Sequence, residues 1–316
     1  MRTARSPLRR VATLVTVLVL VSMAAFLLLE LIPGDPLATL LPEGATPEVR
    51  AQVEAAYGLD QPLWQRYLEW LGNALQGDLG RSLQSQVPVS TAILERLPVT
   101  IELAGLSIVL ALAIAIPVGV YSGYRPGKAL DRVATFLCSI TLSVPNFLLG
   151  VLLVFVFAVN LRMLPVTGWT PLSKSVGGHI QSIVLPVVTL AAVEVVAFTR
   201  LLRNDMVATL QQDYVLAARA RGLTTARILF GHALRPSSFS LVTVLGVTLG
   251  RLIGGTVIVE SLFSLPGLGS LVINAISNRD YLMVQGIVLV VAVSYVLLNA
   301  LVDLSYPLLD PRVRAS

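Results

Sequence analysis

Two ionisable side chains stand inside otherwise apolar stretches, Glu194 within Ser175–Thr199 and Arg251 within Ser237–Ser261, where Glu260 sits near the far end. A charge inside so long an apolar segment normally faces a packed interior or a water-filled path and has a partner of opposite sign. If both stretches are helices, a rise of ~1.5 Å per residue puts the two groups at depths that differ by roughly 6–8 Å, within the reach of an arginine. Two readings follow: a structural ion pair between helices, or part of the lining of a solute pathway. Pro117, Pro145 and Pro186 interrupt the same apolar stretches. A proline removes a backbone bond from a helix, so each is either a plain kink or a break that shapes a cavity or gate. Pro145 and the adjacent Asn146 join Glu194 and Arg251 as candidate pathway residues.

Other chemistry is excluded by what the chain lacks. Its two histidines, His179 and His232, are too few to build a metal site, and the lone Cys138 supplies neither a disulfide framework nor a redox motif. A nucleotide-hydrolysing chain needs G-x-x-x-x-G-K-[ST] to cradle phosphates. The nearest string, Gly123-Tyr124-Arg125-Pro126-Gly127-Lys128-Ala129, is one residue short and has no hydroxyl after the lysine. Neither H-E-x-x-H nor G-x-S-x-G occurs. No catalytic residue, cofactor or metal is therefore expected, and ATP, if used, must be hydrolysed by another chain. An intramembrane enzyme would need a nucleophile and base at depth, and no histidine lies deep in an apolar stretch.

The elements that hold Glu194 and Arg251 are membrane spans. The chain has 316 residues, 55% hydrophobic and 13% charged, with mean hydropathy +0.80. A soluble domain carries about 25% charged residues. Val11–Leu29, Leu103–Tyr124, Val133–Leu161 and Tyr281–Val302 hold no Asp, Glu, Lys or Arg. With the two stretches above they make six, each near the roughly 20 residues a helix needs to cross a bilayer. Lipid offers no partners to a free backbone, so the spans are helices. The fold class is all-α and polytopic. The first stretch follows Arg2, Arg5, Arg9 and Arg10 like a signal sequence, but it outruns a signal core and meets no small-residue cleavage site, so it is read as a retained span.

Loop cations set the orientation. With the N-terminus in the cytoplasm, fifteen Lys and Arg lie inside and seven outside, which places both termini in the cytoplasm of a bacterial inner or plasma membrane. The net charge of +5 follows from this asymmetry and does not indicate nucleic acid. Residues 1–33 are then the cytoplasmic N-terminus and first span, 34–98 an external helical subdomain, and 99–316 a core of five spans. In 34–98, Thr46 can cap a helix with Pro47 first and Glu48 near the positive end, and Gly58 stops it. A second helix fits Leu63–Leu75. Glu30, Glu102 and Glu260 are placed at the ends of spans.

On the cytoplasmic side, residues 204–236 join spans four and five. Val207, Leu210, Tyr214, Ala217 and Ala218 form an apolar stripe. Gly222 permits a left-handed corner, Thr224 or Thr225 caps a second helix over Ala226–Leu234, and Pro236 closes it. Helix–Gly–helix with Arg219, Arg221 and Arg227 resembles a DNA-binding element, but both ends are tied to spans. Two readings remain, a hairpin lying on anionic headgroups and a docking element for a cytoplasmic partner.

Motifs along nearly the whole chain resemble the B-type permease subunit of dipeptide/oligopeptide ABC importers. They include Leu31-Ile32-Pro33-Gly34-Asp35-Pro36, Tyr57-Gly58-Leu59-Asp60-Gln61-Pro62, Gly77-Asp78-Leu79-Gly80-Arg81-Ser82, Arg96 through Leu103, and Ser143-Val144-Pro145-Asn146-Phe147. Asp213-Tyr214-Val215, Ala218 through Leu223, Pro266-Gly267-Leu268-Gly269, Asp280-Tyr281 and Leu309-Asp310-Pro311-Arg312 continue them. Where such permeases carry E-A-A-x-x-x-G, this chain keeps Ala217, Ala218 and Gly222 but has Leu216 for the acid, with Asp213 three residues earlier. The resemblance implies a type I importer permease fold and a subunit forming half of a translocation path for di- or oligopeptides or a similar solute. It implies a homologous second permease, two cytoplasmic ATP-binding subunits and an external substrate-binding protein. It assigns Asp213, Tyr214, Ala217, Ala218, Arg219, Arg221, Gly222 and His232 to the ATPase-coupling loop. Related systems handle peptides, nickel, glutathione or haem. An ion-driven transporter, the rival reading, would show paired midplane carboxylates and inverted repeats, and neither is evident.

Overall fold

The computed structural model describes residues 7–31, 46–48 and 61–309. In chain order the helices are α1 (Pro7–Leu31), α2 (Leu63–Leu75), α3 (Val89–Tyr124), α4 (Ala129–Ser143) and α5 (Asn146–Leu153), which runs on as a π-helical segment, Val154–Asn160. Next come α6 (Val176–Leu210), α7 (Asp213–Ala220), and α8 (Leu234–Gly255), entered through a π-helical segment, Arg227–Ala233. The last are α9 (Val257–Leu262), α10 (Leu268–Ser277) and α11 (Tyr281–Leu309).

Four stretches, Val89–Tyr124, Val176–Leu210, Arg227–Gly254 and Tyr281–Val302, are long and apolar enough to cross a bilayer. The pair α4 and α5 is a fifth candidate, bent by 102°. α1 coincides with the expected first span and is 25 residues long, with Ala12–Leu27 as its described apolar part. Large apolar side chains such as Val109, Phe136 and Leu137 are exposed, as a lipid environment demands.

The third apolar stretch is broken at Pro145, one of the two outcomes expected there. Val144 is extended and Pro145 precedes α5, because a residue before proline is pushed out of the helical region. Pro117 and Pro186, also expected to break helices, lie inside the continuous α3 and α6.

The chain divides into two compact units. One comprises Met1–Pro98 and Gly267–Leu297. Its core joins Val89 and Ile93 of α3 to Leu268 and Leu271 of α10 and to Met283 and Ile287 of α11. α2 has the bounds its apolar spacing predicts. Tyr67 and Trp70, three residues apart and so on one face, put their rings 5.5 and 5.7 Å from that of Phe26. Of the expected helix from Thr46 to Gly58, only Pro47 and Glu48 are described as helical; Val49–Gly58 lie outside the described residues. The Thr46 hydroxyl holds the Glu48 carboxylate below its ordinary pKa, consistent with a helix start.

The other unit comprises Val99–Pro266 and Leu298–Ser316, and α6 is its axis. Gly119 and Gly123, four apart on α3, let that helix lie directly on α6. A methyl added at Gly123 would meet Met206 Cβ at 2.6 Å and the Arg203 carbonyl oxygen at 3.0 Å. Small residues at this spacing allow close helix crossing in membranes. Below the crossing, Leu202, Met206 and Leu210 are buried with Val215, Ala218, Ile228 and Leu229.

Candidate functional site: a buried charge pair and a basic hairpin

Both sites lie in the unit built around α6. α6 and α8 bring Glu194 and Arg251 together. Arg251 Nη2 donates to Glu194 Oε1 at 2.5 Å, so the long arginine closes the difference in depth between them. Glu194 is buried while Arg251 is largely exposed, and the second carboxylate oxygen, Oε2, is buried without a partner. Asn146, the first residue of α5, likewise has a buried Oδ1 with no partner, whereas Pro145 is exposed.

Two of the acidic groups expected at span ends have partners. Glu260 is fully buried, and the hydroxyls of Thr100 and Thr256 each donate to its Oε1 at 2.7 Å. Glu102 lies 2.8 Å from His179 Nε2. The other ring nitrogen of His179 faces the Thr170 carbonyl oxygen at 2.9 Å, and Trp169 meets the ring edge-on. His179 is thus tied into packing. Glu30 lies outside the residues whose side chains are described.

The 204–236 segment has a different construction from two free helices. Its first part, Asn204–Leu210, is the continuation of α6; α7 is the short middle helix; and the second leg runs without a stop through the π-helical segment into α8. Pro236 does not close that leg. A proline has no N–H for the preceding turn, and the widened turn immediately upstream accommodates the missing bond. Gly222 has φ +75°, the left-handed corner that its type suggested. The expected stripe is rotated. Val215 and Ala218 are the buried residues of α7, while Tyr214, Ala217, Arg219 and Arg221 are exposed and His232 is half-buried. Leu216 and Phe230 add exposed apolar surface beside these arginines.

A fork ties this hairpin's stem to α4. Arg203 Nε and Nη2 donate to Asp131 Oδ1 and Oδ2 at 2.5 and 2.9 Å, and the Gly127 amide donates to Oδ2 at 2.7 Å. Such bidentate pairs fix geometry as well as charge. Sequence reading missed both Asp131 and the Gly119/Gly123 crossing. The G-x-x-x-G spacing was a usable signal for the crossing, but nothing local marked Asp131.

The fold and its long apolar helices define an α-helical, multi-pass membrane protein. The chain belongs to the family described as binding-protein-dependent transport system inner membrane component, whose model matches residues 115–315, and a model for the N-terminal part of such components matches residues 4–104. It is a permease subunit of an ABC importer and not itself an enzyme; ATPase and substrate-binding functions reside in partners. It is 37% identical over 307 residues to a probable peptide ABC transporter permease protein, y4tP, of Sinorhizobium fredii, covering 97% of this chain and 98% of that one. With a putative peptide transport system permease protein of Brucella abortus it shares 39% over 307 residues, at the same coverage. The dipeptide transport system permease protein DppB of Escherichia coli is 34% identical over 331 residues, covering 97% and 98%. A crystal structure of an amino acid ABC transporter with histidines has a chain that superposes with TM-score 0.52 at 16% identity, covering 68% of this chain and 92% of that one, a likeness of fold.

Proposed function

We propose that the substrates are di- or oligopeptides and that this chain forms half of their translocation path beside a homologous second permease. Two cytoplasmic ATPases would drive the path and an external binding protein would supply it. The observation that carries this reading is end-to-end similarity, without large gaps in coverage, to permeases named for peptides. In the same reading the chain sits in the bacterial inner or plasma membrane with both termini and residues 204–236 in the cytoplasm. The cation count of the loops supports that orientation.

The hairpin is the coupling element of this reading. α7 buries Val215 and Ala218 and leaves Tyr214, Ala217 and Arg219 exposed, with Arg221 exposed just after its end, a mixed apolar and basic surface suited to a protein groove. Because the second leg is continuous with α8, a displacement of the hairpin reaches the helix that carries Arg251 without crossing a loop. Glu194, Arg251, Pro145 and Asn146 are the pathway candidates.

The test is uptake of radiolabelled di- and tripeptides by cells that lack their own peptide permeases and express this chain with its co-encoded partners. Accumulation that is lost when the ATPase phosphate-binding lysine is replaced supports the reading. Absence of peptide uptake alongside accumulation of nickel, glutathione or haem reassigns the substrate.

A further inference from the structure

The two members of the Glu194–Arg251 pair differ sharply in exposure, 3% for the glutamate side chain and 58% for the arginine. A single donor, Nη2, meets a single acceptor, Oε1. One corner of the guanidinium is therefore anchored and the rest of its donor fork is turned to the open surface of α8. That surface is a stripe in which Ser240, Val247, Arg251 and Gly254 are all exposed, at spacings that keep them on one helical face. Arg251 lies in the last turn of the span Arg227–Gly254, and intramembrane charges face the interior or a water-filled cavity rather than lipid. In the peptide reading such a cavity is the solute route.

We propose that Arg251 is a recognition point for the terminal carboxylate of a peptide in transit. The assignment rests on the peptide reading above. A guanidinium fork matches the two oxygens of a carboxylate and stays charged at any physiological pH. The free carboxylate is the anionic group that every linear peptide carries whatever its side chains, so one arginine recognises the class without reading sequence. Glu194 plays the complementary part. It is too buried to meet a peptide ammonium group, so it orients the arginine from behind and offsets its charge. A fully uncompensated cation would hold the peptide, whereas conduction needs binding weak enough to release.

The decisive measurement is uptake of trialanine and of trialanine amide into vesicles holding the complete complex, with the binding protein and ATP. Wild type is compared with Arg251→Gln, Arg251→Lys and the double variant Glu194→Gln/Arg251→Gln. Selection by the binding protein and other subunits is common to all and cancels when acid-to-amide ratios are compared between variants. The ratio is expected to fall about tenfold in Arg251→Gln, as for loss of one charge-assisted hydrogen bond, and to be largely kept in Arg251→Lys. The double variant leaves no unpaired buried charge, so it decides the matter if Arg251→Gln is poorly assembled; its ratio is expected to fall equally. An unchanged ratio in the double variant at normal abundance overturns the proposal and returns Arg251 to packing between helices or subunits. A wild type that takes up both peptides at one rate refutes the carboxylate site alone. A wild type that takes up neither refutes the peptide reading, and the site with it.

Discussion

The hydroxyl of Ser82 donates to the carboxylate of Asp280, 198 residues further along the chain. The Leu83 amide donates to the other oxygen of the same carboxylate at 3.1 Å, and the Met283 amide at 3.4 Å caps the start of α11. One side chain thus closes the turn after Gly80, fixes the start of α11 and joins two sequence motifs. Asp280→Ala removes a helix cap and the partner of a buried hydroxyl, and a loss of roughly 2 kcal/mol is expected. Ser82→Ala removes only one of these bonds and should lose about half as much. Thermal inactivation of the purified complex measures both; equal losses would show that the Ser82 link, not the cap, carries the effect.

Gly123→Ala should weaken the α3–α6 crossing, since the added methyl meets backbone at Arg203 as well as Met206 Cβ. Overpacking of this kind typically costs about 1–3 kcal/mol. Gly127→Ala, where a methyl would have open space but φ is +76°, should be milder, at about 1 kcal/mol of backbone strain. Membrane abundance and melting in detergent rank the two. A Gly123→Ala protein as stable as wild type would mean that α3 can shift on α6.

At Gly222 an added side chain meets nothing within 4 Å. The penalty there is conformational alone, on the order of 1–2 kcal/mol at φ > 0 and more for a β-branched residue. Gly222→Val should therefore leave insertion and abundance near normal while separating ATP hydrolysis from substrate supply. Arg219→Glu with Arg221→Glu should weaken ATPase attachment. Co-purification and substrate-stimulated ATPase activity in vesicles read these outcomes, and unchanged values would return the hairpin to the membrane surface.

Single cysteines at Gln84 and Thr224, placed in a Cys138→Ser background, should label oppositely with an impermeant thiol reagent in intact cells, Gln84 from outside and Thr224 only after permeabilisation. Labelling of both from outside would overturn this topology.

Local composition determined the spans, since a charge-free run of about 20 residues has no stable alternative to a helix in lipid. It determined α2, through apolar periodicity, and the corner at Gly222, through the one residue type that enters φ > 0 freely. The family, too, was legible in short collinear motifs. Tertiary structure decided which prolines break a helix: Pro145 ends one, while Pro117 and Pro186 are carried within long helices whose neighbours hold them. It decided that Glu260 is buried, because the Thr100 hydroxyl that receives it comes from 160 residues away. It decided which side of α7 is buried, as Val215 and Ala218 meet Leu210 and Ile228 only once the hairpin has closed. And it decided that Arg251 reaches Glu194 with its fork still open, since depth along a helix can be counted in residues, but the direction a side chain takes around the axis depends on what the neighbouring helix leaves free.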